Sequence, residues 1–490
     1  MQFFNNYAQQ LSSLTRSVKP LSLKGTKLAF YNSTLHDAIG LPEPLKDETQ
    51  LLDALFAQSG TFAKNAVAQK YGGHQFGYWN PQLGDGRGLL LAEHVAPNGS
   101  LWDLHLKGAG PTPYSRSGDG RAVLRSTIRE FLASEALHHL GIPSSRALCL
   151  LTSEQAVQRE TQEPAAMLIR VCQSHIRFGH FEYFHHSQQP EKLQALFDFC
   201  FEHHFASLKQ QQNPYLSMLK KVIEDTALML AKWQVYGFNH GVMNTDNMSI
   251  HGITFDFGPY AFMDDFFSDY ICNHTDQQGR YAFDQQPGIA LWNLNAFAHA
   301  FLDYVPEKDI TTALSTFEPI MLNHFYRLMC RRLGLVTDSN ETALTPPYKE
   351  TTKHLIFDWL QQLNKEHRDY NQTHRHLLNA VINADKQRLT DYFIDEQWAN
   401  DWFTTYQKHV LKLNLDKEQQ EHTLCTSNPV YILRNHYAQQ AIDAAHNNDF
   451  SVFEKLLEAL QAPFTERTGF EVFTQLPPDA EKGVPLSCSS

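Results

Sequence analysis

The stretch HGVMNTDNMSIHGITFDFG, residues 240–258, brings oxygen-bearing side chains together in two short segments. Asp246 and Asn247 stand side by side in the first segment, and Asp256 begins an Asp-Phe-Gly turn in the second. Carboxylate and amide oxygens suit Mg²⁺ or Mn²⁺ ions that bridge phosphate oxygens. The stretch therefore predicts a metal site, and we expect Asn247 and Asp256 to be its ligands.

The order of residues in this stretch resembles the catalytic and metal loops of protein kinases, with one replacement. Kinases place a catalytic Asp two residues after the loop His and an Asn seven residues after it, followed by an Asp-Phe-Gly turn. Here Val242 occupies the position of the catalytic Asp that should follow His240. Asp246 is then the carboxylate of the loop that can accept a proton, and a turn residue in NTDN is its alternative role. The combination predicts nucleotide chemistry by an altered mechanism.

The sequence before this loop predicts a small β-rich lobe. Two apolar runs, GLLLAEHV and LWDLHLK, flank an Asn-Gly turn and predict a hairpin. Apolar residues from Leu124 to Leu140 recur at helical spacing, which predicts a helix that ends at Gly141. The runs ALCLLTSE and AAMLIRVCQ predict two further strands.

After residue 185 the pattern becomes helical. Helices are predicted at 190–209, 214–237, 287–304 and 311–334, and over most of 347–460. Strands with a lysine, a helix with a glutamate, and helices around a metal loop follow one another in kinase order. We therefore expect an α+β protein with a bilobal, protein-kinase-like fold. Its expected parts are a β-rich N-lobe at 1–185, a helical C-lobe at 186–462 and a C-terminal tail at 463–490.

Several residues of the predicted N-lobe suit phosphate binding. Lys107 on a strand and Glu130 on the next helix match the ion pair with which kinases aim an ammonium group at phosphates; an exposed Lys and an unrelated Glu are the alternative. Two Gly-Asp-Gly-Arg segments, 84–87 and 118–121, lie on either side of Lys107. Their glycines and arginines suit contact with phosphate, and two tight turns are the alternative. The expected nucleotide contacts in these segments are Gly84, Gly86, Arg87, Asp119 and Gly120.

Arg170 and Arg177 lie in the apolar run IRVCQSHIRFGHFEYF. Because a buried unpaired charge is very costly, each arginine must find an anion. A structural carboxylate and a nucleotide phosphate are both open as that anion. The several cations that a triphosphate needs favour the phosphate.

Composition and residue spacing argue against several other classes of protein, including nucleic-acid-binding, membrane and zinc-binding proteins. The chain has 490 residues, 42% of them apolar, and a formal charge of −12, which disfavours nonspecific binding to nucleic acid. No apolar run suffices to span a bilayer and no secretion signal is evident, so we expect a cytoplasmic protein without a membrane partner. Seven cysteines without a CxxC pair argue against a disulfide scaffold or zinc site. Neighbouring histidines such as His185 and His186 point in different directions on a helix, so we expect structural or surface roles.

Together these segments resemble the selenoprotein O family of pseudokinase-like protein adenylyltransferases, also called the YdiU family. The resemblance covers nearly the whole chain. Its segments are YGGHQFGYWNPQLGDGRG, HLKGAGPTPYSRSGDGRAVLRSTIREF, IRFGHFEYF, GVMNTDNMSIHGITFDFGPYAFMD, WNLNAFA, NPVYILRNH and the terminal SCSS. Cys488 in SCSS occupies a position that is selenocysteine in some relatives.

The resemblance implies that ATP binds in a kinase fold in the reverse orientation, so that its α-phosphate faces the acceptor. AMP would pass to a Ser, Thr or Tyr hydroxyl of a protein, including the enzyme itself, and pyrophosphate would leave; UTP in place of ATP stays open. The resemblance makes Asp246 the proton acceptor and Asn247 and Asp256 the ligands of Mg²⁺ or Mn²⁺, with Asp256 also near ATP. It matches Glu130 to the partner of Lys107. The matching nucleotide-binding positions are Gly84, Gly86, Arg87, Lys107, Asp119, Gly120, Arg170 and Arg177.

Two other function classes stay open. A conventional kinase would transfer the γ-phosphate, and Val242 counts against it. An inactive pseudokinase scaffold would have no need of the metal ligands that this chain keeps. A further hypothesis is redox control through a disulfide between Cys488 and an internal thiol such as Cys272, with two reduced cysteines as the alternative.

Overall fold

The computed structural model describes residues 3–336 and 350–483. Its strands and helices confirm the predicted α+β class. The strands are β1 (Thr15–Ser17), β2 (Lys27–Tyr31), β3 (Val67–Gln75), β4 (Tyr78–Gly84), β5 (Gly88–Val95), β6 (Leu101–Lys107), β7 (Ala122–Val123), β8 (Arg146–Gln158), β9 (Gln162–Cys172), β10 (Phe238–Asn239) and β11 (Ala261–Phe262). The helices are α1 (Asn6–Gln10), α2 (Ser33–Ile39), α3 (Glu48–Phe56), α4 (Thr61–Asn65), α5 (Leu124–His139), α6 (Phe178–His186), α7 (Pro190–His203), α8 (Pro214–Tyr236), α9 (Gln286–Ala298), α10 (Glu307–Leu314), α11 (Phe317–Arg332), α12 (Glu350–Glu366), α13 (Tyr370–Ile382), α14 (Lys386–Thr390), α15 (Glu396–Leu413), α16 (Lys417–Ser427), α17 (Asn435–His446) and α18 (Ser451–Gln461).

An antiparallel sheet occupies the first part of the chain, with the order β1-β3-β5-β6-β9-β8-β2. Strands β5 and β6 form the hairpin that the Asn-Gly turn predicts, with Gly88 opposite Lys107. On the other side of β6, His105 lies opposite Arg170 of β9. Because side chains alternate along a strand, Lys107, His105 and Arg170 project from the same face of the sheet. The register therefore places two of the predicted phosphate ligands next to each other.

Helices cover both faces of this sheet, which explains why β5 is a continuous apolar run rather than an alternating one. Leu89 and Leu91 pack in one core cluster with side chains of α2, α3 and α4. Leu90, which points the opposite way, belongs to a second cluster with α5 and the later helices. The predicted helix after Lys107 is α5, and it forms the layer between the sheet and the rest of the protein.

Helix α8 leads into the loop that carries the predicted metal ligands. Asn213 caps its N-terminus by accepting a hydrogen bond from the Leu216 N–H group. Gly237 ends the helix with a φ of 69°, a left-handed conformation that favours glycine. Strands β10 and β11, which flank the loop at 240–258, then pair with each other, so that the two ends of the loop lie close together.

The structure corrects several predicted boundaries. Helix α7 ends at His203 instead of residue 209, and the predicted helix at 311–334 is two helices, α10 and α11. Sequence patterns missed helices α2 to α4 and the β3–β4 hairpin. The hairpin was missed because Gly72 and Gly73 interrupt β3 and give it low strand propensity.

Helices α17 and α18 pack against α5, the helix behind the sheet. The rings of Phe30, Phe131 and Phe453 make three edge-to-face contacts, with centroids 5.3 to 5.4 Å apart. Phe131 belongs to α5 and Phe453 to α18, so the end of the predicted C-lobe packs on the helix of the predicted N-lobe. None of the helices in the described ranges has the length and hydropathy that crossing a membrane requires.

We expect Phe453→Ala to lower the free energy of unfolding by roughly 3–5 kcal/mol, because it removes a fully buried ring from this contact. Urea unfolding followed by tryptophan fluorescence would measure the loss. The matched control is Phe357→Ala, since the Phe357 side chain is 52% exposed and its removal should change stability far less. Equal losses in the two variants would contradict the packing described here.

Candidate functional site

A cleft of about 660 Å³ lies between the sheet and the loop at 240–258. Segments that are far apart in sequence meet on its walls. The predicted site residues that line it are Gly84, Gly86, Arg87, Lys107, Asp119, Gly120, Arg170, Arg177, Asn247 and Asp256. Glu130 and Asp246 lie immediately behind these walls. Glu130 accepts a hydrogen bond from Lys107, and the backbone carbonyl of Asp246 accepts one from Arg177. Val242, at the position of the missing kinase base, also lines the cleft.

A chain of ion pairs crosses the deepest part of the cleft. The Lys107 Nζ atom lies 2.5 Å from Glu130 Oε2, and Glu130 also accepts hydrogen bonds from Arg170 Nε and Nη2. Arg170 Nη1 lies 2.6 Å from Asp256 Oδ1, and Asp256 Oδ2 accepts from Arg177. The chain contains three cations and two carboxylates, so one positive charge remains for an anionic ligand.

Burial and pairing set the charges of this chain. Burial lowers the pKa of Lys107, although Glu130 opposes that change. Burial alone would raise the pKa values of Glu130 and Asp256. Arg170 and Lys107 outweigh burial at Glu130, and Arg177 and Arg170 outweigh it at Asp256, so both carboxyl pKa values lie below their usual range. Both carboxylates are therefore ionised at neutral pH, as a metal ligand at Asp256 requires.

The two predicted metal ligands present oxygen atoms to the cleft. Asp256 has a φ of 58°, a left-handed conformation uncommon outside glycine, and its ion pairs with Arg170 and Arg177 hold it there. Asn247 donates its amide nitrogen to the Val242 carbonyl at 3.0 Å. Within the described residues, the amide oxygen of Asn247 accepts no hydrogen bond, so it is available as a ligand. Hard oxygen donors of this kind fit Mg²⁺ or Mn²⁺.

Asp246 differs from the other carboxylates because no cation pairs with its side chain in the described structure. The residue is 7% exposed, Oδ1 is buried without a hydrogen-bond partner, and Oδ2 accepts a 3.2 Å hydrogen bond from Gln75. Burial raises the pKa of Asp246 to about 7, with Arg177 opposing the rise. A carboxyl group with a pKa near neutrality suits proton transfer.

The backbone of β3 makes this burial possible. A Cβ atom at Gly73 would lie 2.8 Å from Asp246 Oδ1, so only glycine lets the strand pass so close. The Gly-Gly pair of YGGHQFG is visible in the sequence, but its contact with Asp246, 173 residues after Gly73, is not. Gln75, which contacts Asp246 directly, was missed by the sequence analysis for the same reason.

The two Gly-Asp-Gly-Arg segments fold largely as irregular connections that also line the cleft. Gly84 ends β4 and residues 85–87 join it to β5, and a Cβ at Gly84 would lie 2.4 Å from the Tyr114 ring. Gly120 has a φ of 67° and packs against the Gly110 carbonyl. Tight packing within the protein thus accounts for these glycines, and a phosphate role stays a prediction.

The charged residues of these segments have different environments. Asp119 accepts two 2.9 Å hydrogen bonds from Arg159, a cleft residue that the sequence patterns did not indicate. Arg87 is exposed, and its guanidinium makes no hydrogen bond or ion pair within the described residues. Arg87 is therefore available to an anion in the cleft, whereas Arg159 is already paired.

Of the two cysteines in the predicted redox pair, the described residues include Cys272 but not Cys488. Cys272 is buried, with Sγ 3.7 Å from the Asn239 carbonyl oxygen at the start of the loop. Cys488 lies outside the described residues, so a disulfide between the two stays a prediction. Cys149, Cys172, Cys200 and Cys330 are buried as well.

Comparison with known proteins identifies the family of this chain. Residues 1–461 match the family described as protein adenylyltransferase SelO. The chain belongs to the SelO family. The resemblance inferred from the sequence motifs is thereby confirmed.

Curated SelO relatives align over the full length of the chain. A protein of Pseudoalteromonas atlantica is 51% identical over 490 residues, covering 100% of both chains. A protein of Erwinia tasmaniensis is 44% identical, again over 100% of both chains. A protein of Vibrio parahaemolyticus is 45% identical over 100% of this chain and 99% of its own. All three carry the name protein nucleotidyltransferase YdiU.

We expect Glu130→Gln to lower the free energy of unfolding by roughly 3–5 kcal/mol, because it leaves the buried Lys107 and Arg170 without a shared carboxylate. Chemical denaturation at neutral pH would measure the change. Glu160→Gln is the control, since Glu160 is exposed and its substitution should cost about 0.5 kcal/mol or less. A Glu130 variant as stable as the control would show that the chain of ion pairs does not hold the cleft together.

Proposed function

We propose that the protein is an adenylyltransferase that moves AMP from ATP to Ser, Thr or Tyr hydroxyls of proteins, including its own. Membership of the SelO family and the lining of the cleft support this proposal. We also propose a bilobal, kinase-like arrangement with the division at residue 185 expected from the sequence. The order of Lys107, Glu130, Asn247 and Asp256 around one cleft supports it.

The observation that carries the proposal is the environment of Asp246. A buried carboxyl oxygen without a partner and a pKa near 7 describe a group prepared to accept a proton. In the proposed reaction, the acceptor hydroxyl oxygen attacks the α-phosphorus and its proton passes to Asp246. The bond from the α-phosphorus to the bridging oxygen of the β-phosphate breaks, and pyrophosphate leaves with that electron pair.

The cationic side of the cleft suits the leaving group. Pyrophosphate carries several negative charges, and preorganised cations stabilise charge that develops as a bond breaks. The surplus positive charge of the ion-pair chain and the unpaired Arg87 supply this stabilisation. This distribution favours binding of the β- and γ-phosphates deep in the cleft, with the α-phosphate toward Asp246.

A divalent metal fits beside these cations. Asn247 and Asp256 would hold Mg²⁺ or Mn²⁺, which when bound neutralises phosphate charge. Asp256 is already ionised, since its pKa lies below the usual range, and the amide oxygen of Asn247 is unoccupied within the described residues. The ion pairs with Arg170 and Arg177 use one lone pair on each Asp256 oxygen and leave another for a metal.

Parallel labelling tests the proposal. Incubation with α-labelled ATP should label protein, whereas γ-labelled ATP should not, because pyrophosphate carries the γ label away. Asp246→Asn should abolish the α label, and the matched control Asp269→Asn, an exposed acid that follows the loop, should retain it. Arms with α-labelled UTP, and with Mg²⁺ or Mn²⁺, would define the nucleotide and metal. A γ signal as strong as the α signal would make the protein a kinase.

The pKa of Asp246 predicts a pH dependence. Because the ionised form is the proton acceptor, kcat/KM for α-label incorporation should rise about tenfold per pH unit at low pH and level off above about pH 7. The Gln75 hydrogen bond stabilises the ionised form, so Gln75→Leu should move the midpoint to higher pH. A midpoint near pH 4, the ordinary value for a carboxyl group, would contradict the role of Asp246.

A further inference from the structure

We propose that His74, Glu182 and His186 form a second metal site that takes a divalent transition-metal ion such as Zn²⁺. His74 lies on β3, and Glu182 and His186 lie on α6. One potential ligand atom from each residue lies within 4.8 Å of those of the other two. The site does not include any residue of the nucleotide cleft, and the inference does not depend on the proposed adenylyl transfer.

The strongest observation is the burial of Glu182. Its side chain is 0% exposed, and Oε2 lies 2.5 Å from His74 Nδ1. The other oxygen, Oε1, is buried without any hydrogen-bond partner. No Lys or Arg pairs with Glu182 within the described residues. A buried carboxylate of this kind needs a cation, and a protonated His74 would satisfy only one of the two oxygens.

The helix places His186 to complete the set. Residues four apart on a helix lie on the same face, so Glu182 and His186 point toward one position from α6. His74 approaches that position from the neighbouring strand. This proposal departs from the structural or surface role expected for His186 from the sequence, and the partners of His186 are Glu182 and His74 and not the adjacent His185.

The donor set selects the class of metal. Two imidazoles and one carboxylate suit Zn²⁺, whereas Mg²⁺ and Ca²⁺ prefer oxygen ligands alone. Three protein ligands leave a fourth position, and the exposure of His186 opens that position to water. The centroid of the Trp79 indole ring lies 4.3 Å from that of the His186 ring and 5.2 Å from that of the His74 ring, so the indole packs against both imidazoles of the site.

A second His-carboxylate cluster provides a contrast. His36, Asp37 and Glu43 also lie close together, but both acids are exposed. Lys46 already donates to each of them, at 2.7 Å from Asp37 and 3.0 Å from Glu43. Lys46 therefore supplies the cation of that cluster, whereas Glu182 Oε1 in the cluster on β3 and α6 is buried without a partner.

The position of the site suggests what an ion would hold together. The backbone N–H group of His74 donates to Thr245 Oγ1 at 2.7 Å, and the side-chain amide of the next residue, Gln75, donates to the Asp246 carboxylate. Helix α6 begins directly after Arg177, which pairs with Asp256. An ion that ties β3 to α6 would therefore fix two segments that position the loop at 240–258.

Metal binding can be measured without nucleotide. The full-length chain, stripped with chelator, is equilibrated with Zn²⁺ in excess Mg²⁺, so that Mg²⁺ competes for the oxygen ligands Asn247 and Asp256. Metal content is then determined by mass spectrometry. We expect wild type to retain one more equivalent of zinc than His186→Ala, and zinc affinity to fall at least about tenfold in the variant. Added Zn²⁺ should raise the Tm of wild type but not of His186→Ala.

The matched control is His185→Ala, which removes the neighbouring histidine and should bind zinc as wild type does. His186 is exposed, so its loss should leave the fold intact, and Glu182→Gln provides an independent ligand variant of similar shape. Equal zinc retention by wild type and His186→Ala would overturn the proposal. Wild type without a bound equivalent of zinc would overturn it as well.

Discussion

Charge neutralisation inside a buried cleft is the constraint on which the rest of this structure depends. Lys107, Arg170 and Arg177 are almost completely buried, and each would be costly without a carboxylate. Glu130 and Asp256 supply those carboxylates, and in doing so they connect β6, α5, β9 and the Asp-Phe-Gly turn. Loss of Glu130 would leave Lys107 buried without its carboxylate, and loss of Asp256 would do the same to Arg177, so the chain of ion pairs ties the relative positions of four elements together.

The same constraint explains why the cleft favours anions. Two carboxylates neutralise two of the three cations, and all three cationic residues are buried within the protein. An electrostatic attraction is stronger in such a place than at the surface. The proposed binding of a phosphate group at this chain would use cations that the ion pairs already hold in place, which is the kind of preorganisation that stabilises charge developing at a phosphorus centre.

Asp246 shows the opposite use of burial. Arg177 donates to its backbone carbonyl and not to its carboxylate, so the side chain lies close to positive charge without an ion pair. Asp256, ten residues later, is held ionised by two arginines, whereas Asp246 has a raised pKa. Two carboxylates in one loop thus have different protonation behaviour because their partners differ, and the proposed roles of Asp256 as a metal ligand and Asp246 as a proton acceptor rest on this difference.

Local patterns predicted the elements that depend on nearby residues. The β5–β6 hairpin follows from its Asn-Gly turn, and α5 follows from helical spacing that ends at a glycine. The β3–β4 hairpin could not be predicted in this way, because Gly72 and Gly73 are required by contacts with Trp79 and Asp246 and not by the strand itself. The end of α7 and the break between α10 and α11 were also not predicted, since helical periodicity in the sequence does not by itself show where a helix stops.

The sequence by itself determined the membership of the SelO family and the types of residue that the cleft would contain, because motifs retain the chemistry of a site in their order and spacing. Only the tertiary structure decided which of those residues meet. It paired Arg170 and Arg177 with Asp256, brought Gln75 to Asp246, and placed His74 beside Glu182 and His186. Contacts of this kind join residues that are distant along the chain, and their distances depend on how strands and helices pack, which no local pattern records.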